Sequence, residues 1–191
     1  EYYPYNGQKE SEQSFIASKI EKPVPGREDY WFLFYSGQFL HLIVTPETFK
    51  DGVLRKMAKQ TPGLNNQAPG FIEVTPLLEL FGFIFLFASK LCQADLYDTE
   101  LDIEIELNGI KDFVLIDNFH NFMGNSSFYG NYVARKGKIQ WNKNLQPKDF
   151  SYKYALDFAC KTACHFLDLF GYQAPIYKFE KHLQNFLLYI S

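Results

Sequence analysis

Two cysteines and a histidine stand together in Cys160-Lys161-Thr162-Ala163-Cys164-His165, the most suggestive cluster in the chain. Cysteines four residues apart share one helix face, where thiolates could hold a metal or, beside an imidazole, act as a nucleophile. A structural zinc needs four ligands, usually with a second pair at short spacing. Only Cys92, His41, His120 and His182 remain to supply one, and none pairs up in sequence. Both cysteines also fall on or beside the apolar stripe of their segment, where cysteine packs as a small hydrophobe. Core packing is the expected role, no metal site is expected, and Cys164 is retained as a candidate ligand-site residue.

Two further ionisable residues stand out because apolar neighbours surround them. Glu79 interrupts the run PLLELFGFIFLFASKLCQAD (76–95), and His41 sits in the strand-like stretch Gln38–Val44. The first-turn position expected for Glu79 suits the helix dipole, and His41 is expected to be a hydrogen-bonded core residue. Both are kept as ligand candidates. The acidic series Asp95, Asp98, Glu100, Asp102, Glu104 and Glu106 reads differently: on a strand, alternate carboxylates stand about 7 Å apart and line one wet face. Arg135, Lys136, Lys138 and Lys143 with Trp141 form the one basic-aromatic stretch, a candidate contact for a nucleic-acid backbone whose competing reading is a solvated loop.

No P-loop, dinucleotide glycine turn, G-x-S-x-G, metalloprotease histidine pair or deaminase signature occurs in the chain. No catalytic residue and no cofactor is expected from motif. The 191 residues carry a formal net charge of −3, which supplies no global pull toward nucleic acid. Three cysteines in a chain long enough to fold without bridges point to a reducing compartment, hence the cytoplasm. On that reading the sequon at Asn125-Ser126-Ser127 has no role.

Positioning these residues requires a core, and 18% aromatic content, with 20 Phe, supplies the material for one. The 76–95 run is apolar on nearly every face, so it predicts a helix buried on all sides. Thr75-Pro76 reads as a cap followed by proline in the first turn. Glu79 and Lys90 bracket an uncharged run of only about ten residues, shorter than the roughly 20 a membrane crossing needs, and no membrane partner is expected.

Ahead of that helix, residues 1–28 read as a polar arm or linker with a short helix over 10–20. Tyr30–Tyr35 and Gln38–Val44 predict a hairpin closed by Ser36-Gly37, with Phe34 opposite Phe39 and Phe32 opposite His41. A helix is expected over 46–60, a loop over 61–70 and a short strand over 71–74. Beyond it, Leu101–Leu107 alternates strictly, and Asn108-Gly109 predicts a second hairpin returning through Ile110–Ile116, with Glu106 across from Lys111. Short strands are expected near 128–134 and 138–141. Helices follow from Pro147 or Ser151 to Phe170, capped by Gly171, and from Pro175 to about Tyr189.

Three separated segments carry a family resemblance. Phe34-Tyr35-Ser36-Gly37-Gln38-Phe39-Leu40-His41, then Phe87-Ala88-Ser89-Lys90-Leu91 closing the apolar helix, then Phe170-Gly171-Tyr172 with Pro175 and Gln184, resemble the C-terminal region of bacterial proteins with an N-terminal Schlafen-type AlbA domain. The resemblance runs from Tyr30 to Leu188. It departs at Phe83 and Leu86, where that family tends to place carboxylates. Those proteins are described as ATP- or DNA-binding, but the AlbA domain lies outside this sequence, so the resemblance assigns neither ligand to any residue here.

The combined expectation is an α+β fold, two antiparallel β-hairpins plus helices packed around a central buried helix (76–95), in one domain over 29–191. Its expected role is a non-catalytic accessory or interaction domain of a larger intracellular bacterial protein, with a protein partner or self-association. Two alternatives are a nucleic-acid-associated module using 132–143, and a small-ligand or hydrolytic site around Glu79, His41 and Cys164.

Overall fold

A computed structural model describes residues 14–21, 28–34, 38–44, 68–94, 97, 100–117, 132–173 and 176–188. Chain contacts divide it into two units, Glu1–Met57 and Ala58–Ser191. The architecture is mixed α+β.

The first unit is a three-stranded antiparallel sheet of β1 (Ser14–Glu21), β2 (Glu28–Phe34) and β3 (Phe39–Val44) in sequential order. The helix expected over 10–20 is therefore replaced, within the described residues, by a strand that pairs with β2. The β2–β3 register also differs by one residue from the expected one: Trp31 faces His41 and Leu33 faces Phe39. The expected Ser36-Gly37 turn lies outside the described residues, and a one-residue slip changes which residues of the two strands share a face. His41 is exposed rather than buried, and so is Leu40 on the opposite face of β3. The helix expected over 46–60 lies outside the described residues.

In the second unit, Gly70 enters β4 (Phe71–Glu73) at a position where a Cβ would run into the Phe113 ring. The chain then turns directly into α1 (Val74–Gln93), two residues earlier than Thr75-Pro76 suggests. Pro76 is accommodated because the N–H groups of a first turn have no intrahelical acceptor. After α1 come β5 (Leu101–Asn108), β6 (Val114–Ile116), β7 (Lys138–Leu145), a 3-10 turn at Pro147–Asp149, α2 (Tyr152–Asp168) and α3 (Ile176–Leu188).

The second hairpin does not form as expected. β5 pairs antiparallel with β7, setting Asp102 opposite Asn144 and Glu106 opposite Gln140, while β6 pairs parallel with β4. Gly109 (φ 71°) and Asp112 (φ 64°) both adopt left-handed backbone, and Phe113 N–H closes a turn on Ile110. Two such residues three positions apart jog the strand sideways without reversing it. The return strand comes from further along: Leu115 N–H donates to Tyr132 and Ala134 N–H to Phe113, after which β7 continues beside β5. Glu106 thus finds Lys138, not Lys111.

The core forms where α1 and α2 cross. Ala155, Ala159, Cys160 and Ala163 give α2 a shallow buried face, so the phenylalanines of α1 can approach it closely. Phe81 meets Phe166 with ring centroids 5.0 Å apart, and Phe85 is surrounded by Trp141, Phe150 and Phe158. Ser89 Oγ donates to the Phe150 carbonyl at 3.2 Å. Gly171 (φ 82°) ends α2 as expected: its N–H reaches Asp168 and the Tyr172 N–H reaches Leu167, the paired bonds of a Schellman turn.

Burial of α1 is not uniform. Leu77, Leu78, Phe81, Phe85 and Leu86 are buried, yet Phe83 is 47% exposed, and Leu80, Ile84, Phe87 and Leu91 are half-buried. Helix α1 is long and apolar enough to cross a membrane by length and composition. One face of it packs against α2.

Candidate functional site

The exposed side of α1 meets α3 in a two-rung ladder. Glu79 and Phe83 lie one turn apart on α1, as His182 and Phe186 do on α3, so each pair projects from one helix face. Because 79 meets 182 and 83 meets 186, the two helices run in the same direction here. On the first rung, Glu79 Oε1 and His182 Nε2 are 2.9 Å apart in a half-buried setting. On the second, Phe186 meets Phe83 edge-on with centroids 5.1 Å apart. The rungs are tied together, since the His182 ring lies parallel to Phe186 at 6.4 Å. Phe179 and Leu183, both fully buried, lie on the same stripe of α3 and anchor it beside the ladder.

Chemically, a carboxylate in contact with imidazole can orient the ring and exchange a proton with it. An aromatic pair with one ring half in water offers apolar contact area instead. Glu79, expected in the first turn, lies in the second turn of α1, where it meets His182 rather than the helix N-terminus. His182 and Phe186 were not among the candidates; the matching E-x-x-x-F and H-x-x-x-F spacings were the available signal, with nothing local to match the helices to each other.

The other candidates stand elsewhere. His41 belongs to β3 of the first unit, where its ring is 6.3 Å from Phe39. Cys164 is half-buried on α2, and burial, followed by the nearby Asp168 charge, pushes its thiol above the ordinary value. Cys160 is fully buried, and burial foremost, with Glu180 adding, pushes its thiol up to about 12. Both thiols are protonated at neutral pH, the opposite of what a nucleophile requires. Among the described residues no three His, Cys, Asp or Glu side chains gather as a metal site.

The basic-aromatic residues divide. Strand alternation puts Lys138 on one face of β7 with Gln140, Asn142 and Asn144, and Trp141 and Lys143 on the other. Trp141 packs against Phe85 in the core, and Lys138 is ion-paired with Glu106. Arg135 and Lys136 are exposed at the bend before β7. The face that carries Lys138 is predominantly acidic, because Asp102, Glu104 and Glu106 of β5 lie across from it. Asn144 Nδ2 donates to Asp102 at 2.8 Å and Gln140 Nε2 donates to Glu104. Hydrogen bonds from Lys138 and then Asn108 hold the Glu106 carboxyl below its ordinary range.

One buried polar pair completes the inventory. Asp117, 2% exposed, follows β6 directly and accepts from the Tyr172 hydroxyl; the Tyr132 ring meets Tyr172 edge-on at 5.2 Å.

No protein-family model, curated protein or solved structure matches the chain.

Proposed function

We propose that this chain is a non-catalytic interaction domain, an accessory part of a larger intracellular bacterial protein akin to those with an N-terminal Schlafen-type AlbA domain, and that it meets a protein partner or a second copy through the α1–α3 face. The observation that carries this reading is Phe83, 47% exposed at the middle of the core helix. A single exposed apolar residue is ordinary, but Phe83 continues into Phe186 and is flanked on α1 by the half-buried Leu80 and Phe87. Contiguous aromatic surface next to a satisfied polar pair is the composition typical of interface centres. The cysteine environments favour the same reading, since they disfavour thiol chemistry.

A photo-reactive side chain at position 83 of the full-length protein tests it. Crosslinking to one protein species, or to a second copy, at defined stoichiometry supports the reading when Phe83→Asp abolishes the same complex in sedimentation. A sedimenting monomer with no crosslink at any concentration overturns it.

The 2.9 Å Glu79–His182 pair favours a second reading, a small-ligand or hydrolytic site. Hydrolysis of activated esters or phosphates, lost in both Glu79→Gln and His182→Gln but kept in Phe83→Asp, would select it. The nucleic-acid alternative would rest on the exposed Arg135, Lys136 and Lys143, since Trp141 packs on Phe85 and Lys138 is paired with Glu106; its signature is binding that falls steeply with salt and with Lys136→Glu.

A further inference from the structure

We draw no further inference here: the strongest candidate, the carboxylate-carboxamide face of β5 and β7 with the concavity of about 420 Å³ between Asp102, Glu104, Asn142 and Asn144, is an acidic row already hydrogen-bonded to the amides opposite, and nothing in the structure shows what would bind it.

Discussion

The Tyr172 hydroxyl donates to Asp117 Oδ2 at 2.8 Å, joining the turn after α2 to the end of β6 across 55 positions of sequence. Both residues are buried, so the bond is made where water cannot replace it. The Schellman turn at Gly171 is what directs Tyr172 inward: with left-handed backbone at that position, the next residue folds back against the helix end. Tyr172→Phe keeps the ring and its edge-on contact with Tyr132 while removing the donor to a buried carboxylate. A loss of about 1–3 kcal/mol is expected, read as a lower urea midpoint with unchanged slope. A change within error of zero would mean that Asp117 does not depend on this donor.

The same pair predicts an alkaline effect. Burial, followed by the Asp117 hydrogen bond and charge, raises the Tyr172 phenol above its ordinary value of 10.0. The folded state then holds this proton more tightly than the unfolded state does, so the stabilisation is complete below pH 10 and diminishes as pH rises beyond it. Tyr172→Phe should therefore lose less stability than the parent between pH 10 and pH 11. Parallel pH curves for the two proteins would contradict the assignment.

Cys160 behaves in the same sense over a lower window. Its thiol is pushed from 9.0 to about 12, chiefly by burial, so its contribution is whole below pH 9 and is lost as pH climbs toward 12. One such group limits the slope to about 1.4 kcal/mol per pH unit. Replacing it by Ala should flatten the stability curve between pH 9 and pH 10. Alkylation gives an independent check at neutral pH: the half-buried Cys164 should react with iodoacetamide before Cys160, which should react only on unfolding. Rapid native-state labelling of Cys160 would show that its burial is not maintained in solution.

How much of this was legible in the sequence depends on whether the decisive interaction was local. The α2 stripe and the Gly171 cap rest on periodicity and turn chemistry within a few residues and appear where expected, and the short strand expected over 71–74 forms over Phe71–Glu73. The Asn108-Gly109 signal was also local, and it misled. Gly109 does adopt the left-handed backbone that a hairpin turn uses, but Asp112 adopts it too, and the second reversal cancels the first. Pairing of β5 with a strand 37 positions further on (Leu101 opposite Leu145 at one end, Asn108 opposite Lys138 at the other) cannot be read from any window around the turn. Helix α1 shows the same limit: all-round hydrophobicity signals burial, but which phenylalanine stays wet depends on where α2 and α3 sit. The Glu79–His182 contact, spanning 103 positions, had to come from the fold.

Thr162 yields a prediction of opposite sign. Its Oγ1 is fully buried on α2, and no hydrogen-bond partner lies within reach among the described residues. A hydroxyl removed from water without a replacement bond costs about 1–3 kcal/mol. Thr162→Val preserves the branched shape and the volume, so the folded state should gain roughly 1 kcal/mol, measured as a higher urea midpoint. A loss of stability would reveal that the hydroxyl does find an acceptor in solution, most directly a carbonyl of the preceding helical turn.

Two phenylalanines of α1, two residues apart, should separate folding from contact. Phe85 is fully buried among Trp141, Phe150 and Phe158, so truncation leaves a cavity in the centre of the core. Phe85→Ala should cost about 3–5 kcal/mol. Among the described residues Phe83 meets the ring of Phe186 and keeps nearly half its surface in water, so Phe83→Ala should cost only about 0.5–1.5 kcal/mol, the scale of an aromatic pair. If α1–α3 is a contact surface, the ranking inverts in an association assay: Phe83→Ala abolishes the complex at a temperature where both variants are folded, and Phe85→Ala weakens it no more than its unfolded fraction requires. Equal and large stability losses at the two positions would place Phe83 inside the core, leaving the proposed face without its central residue.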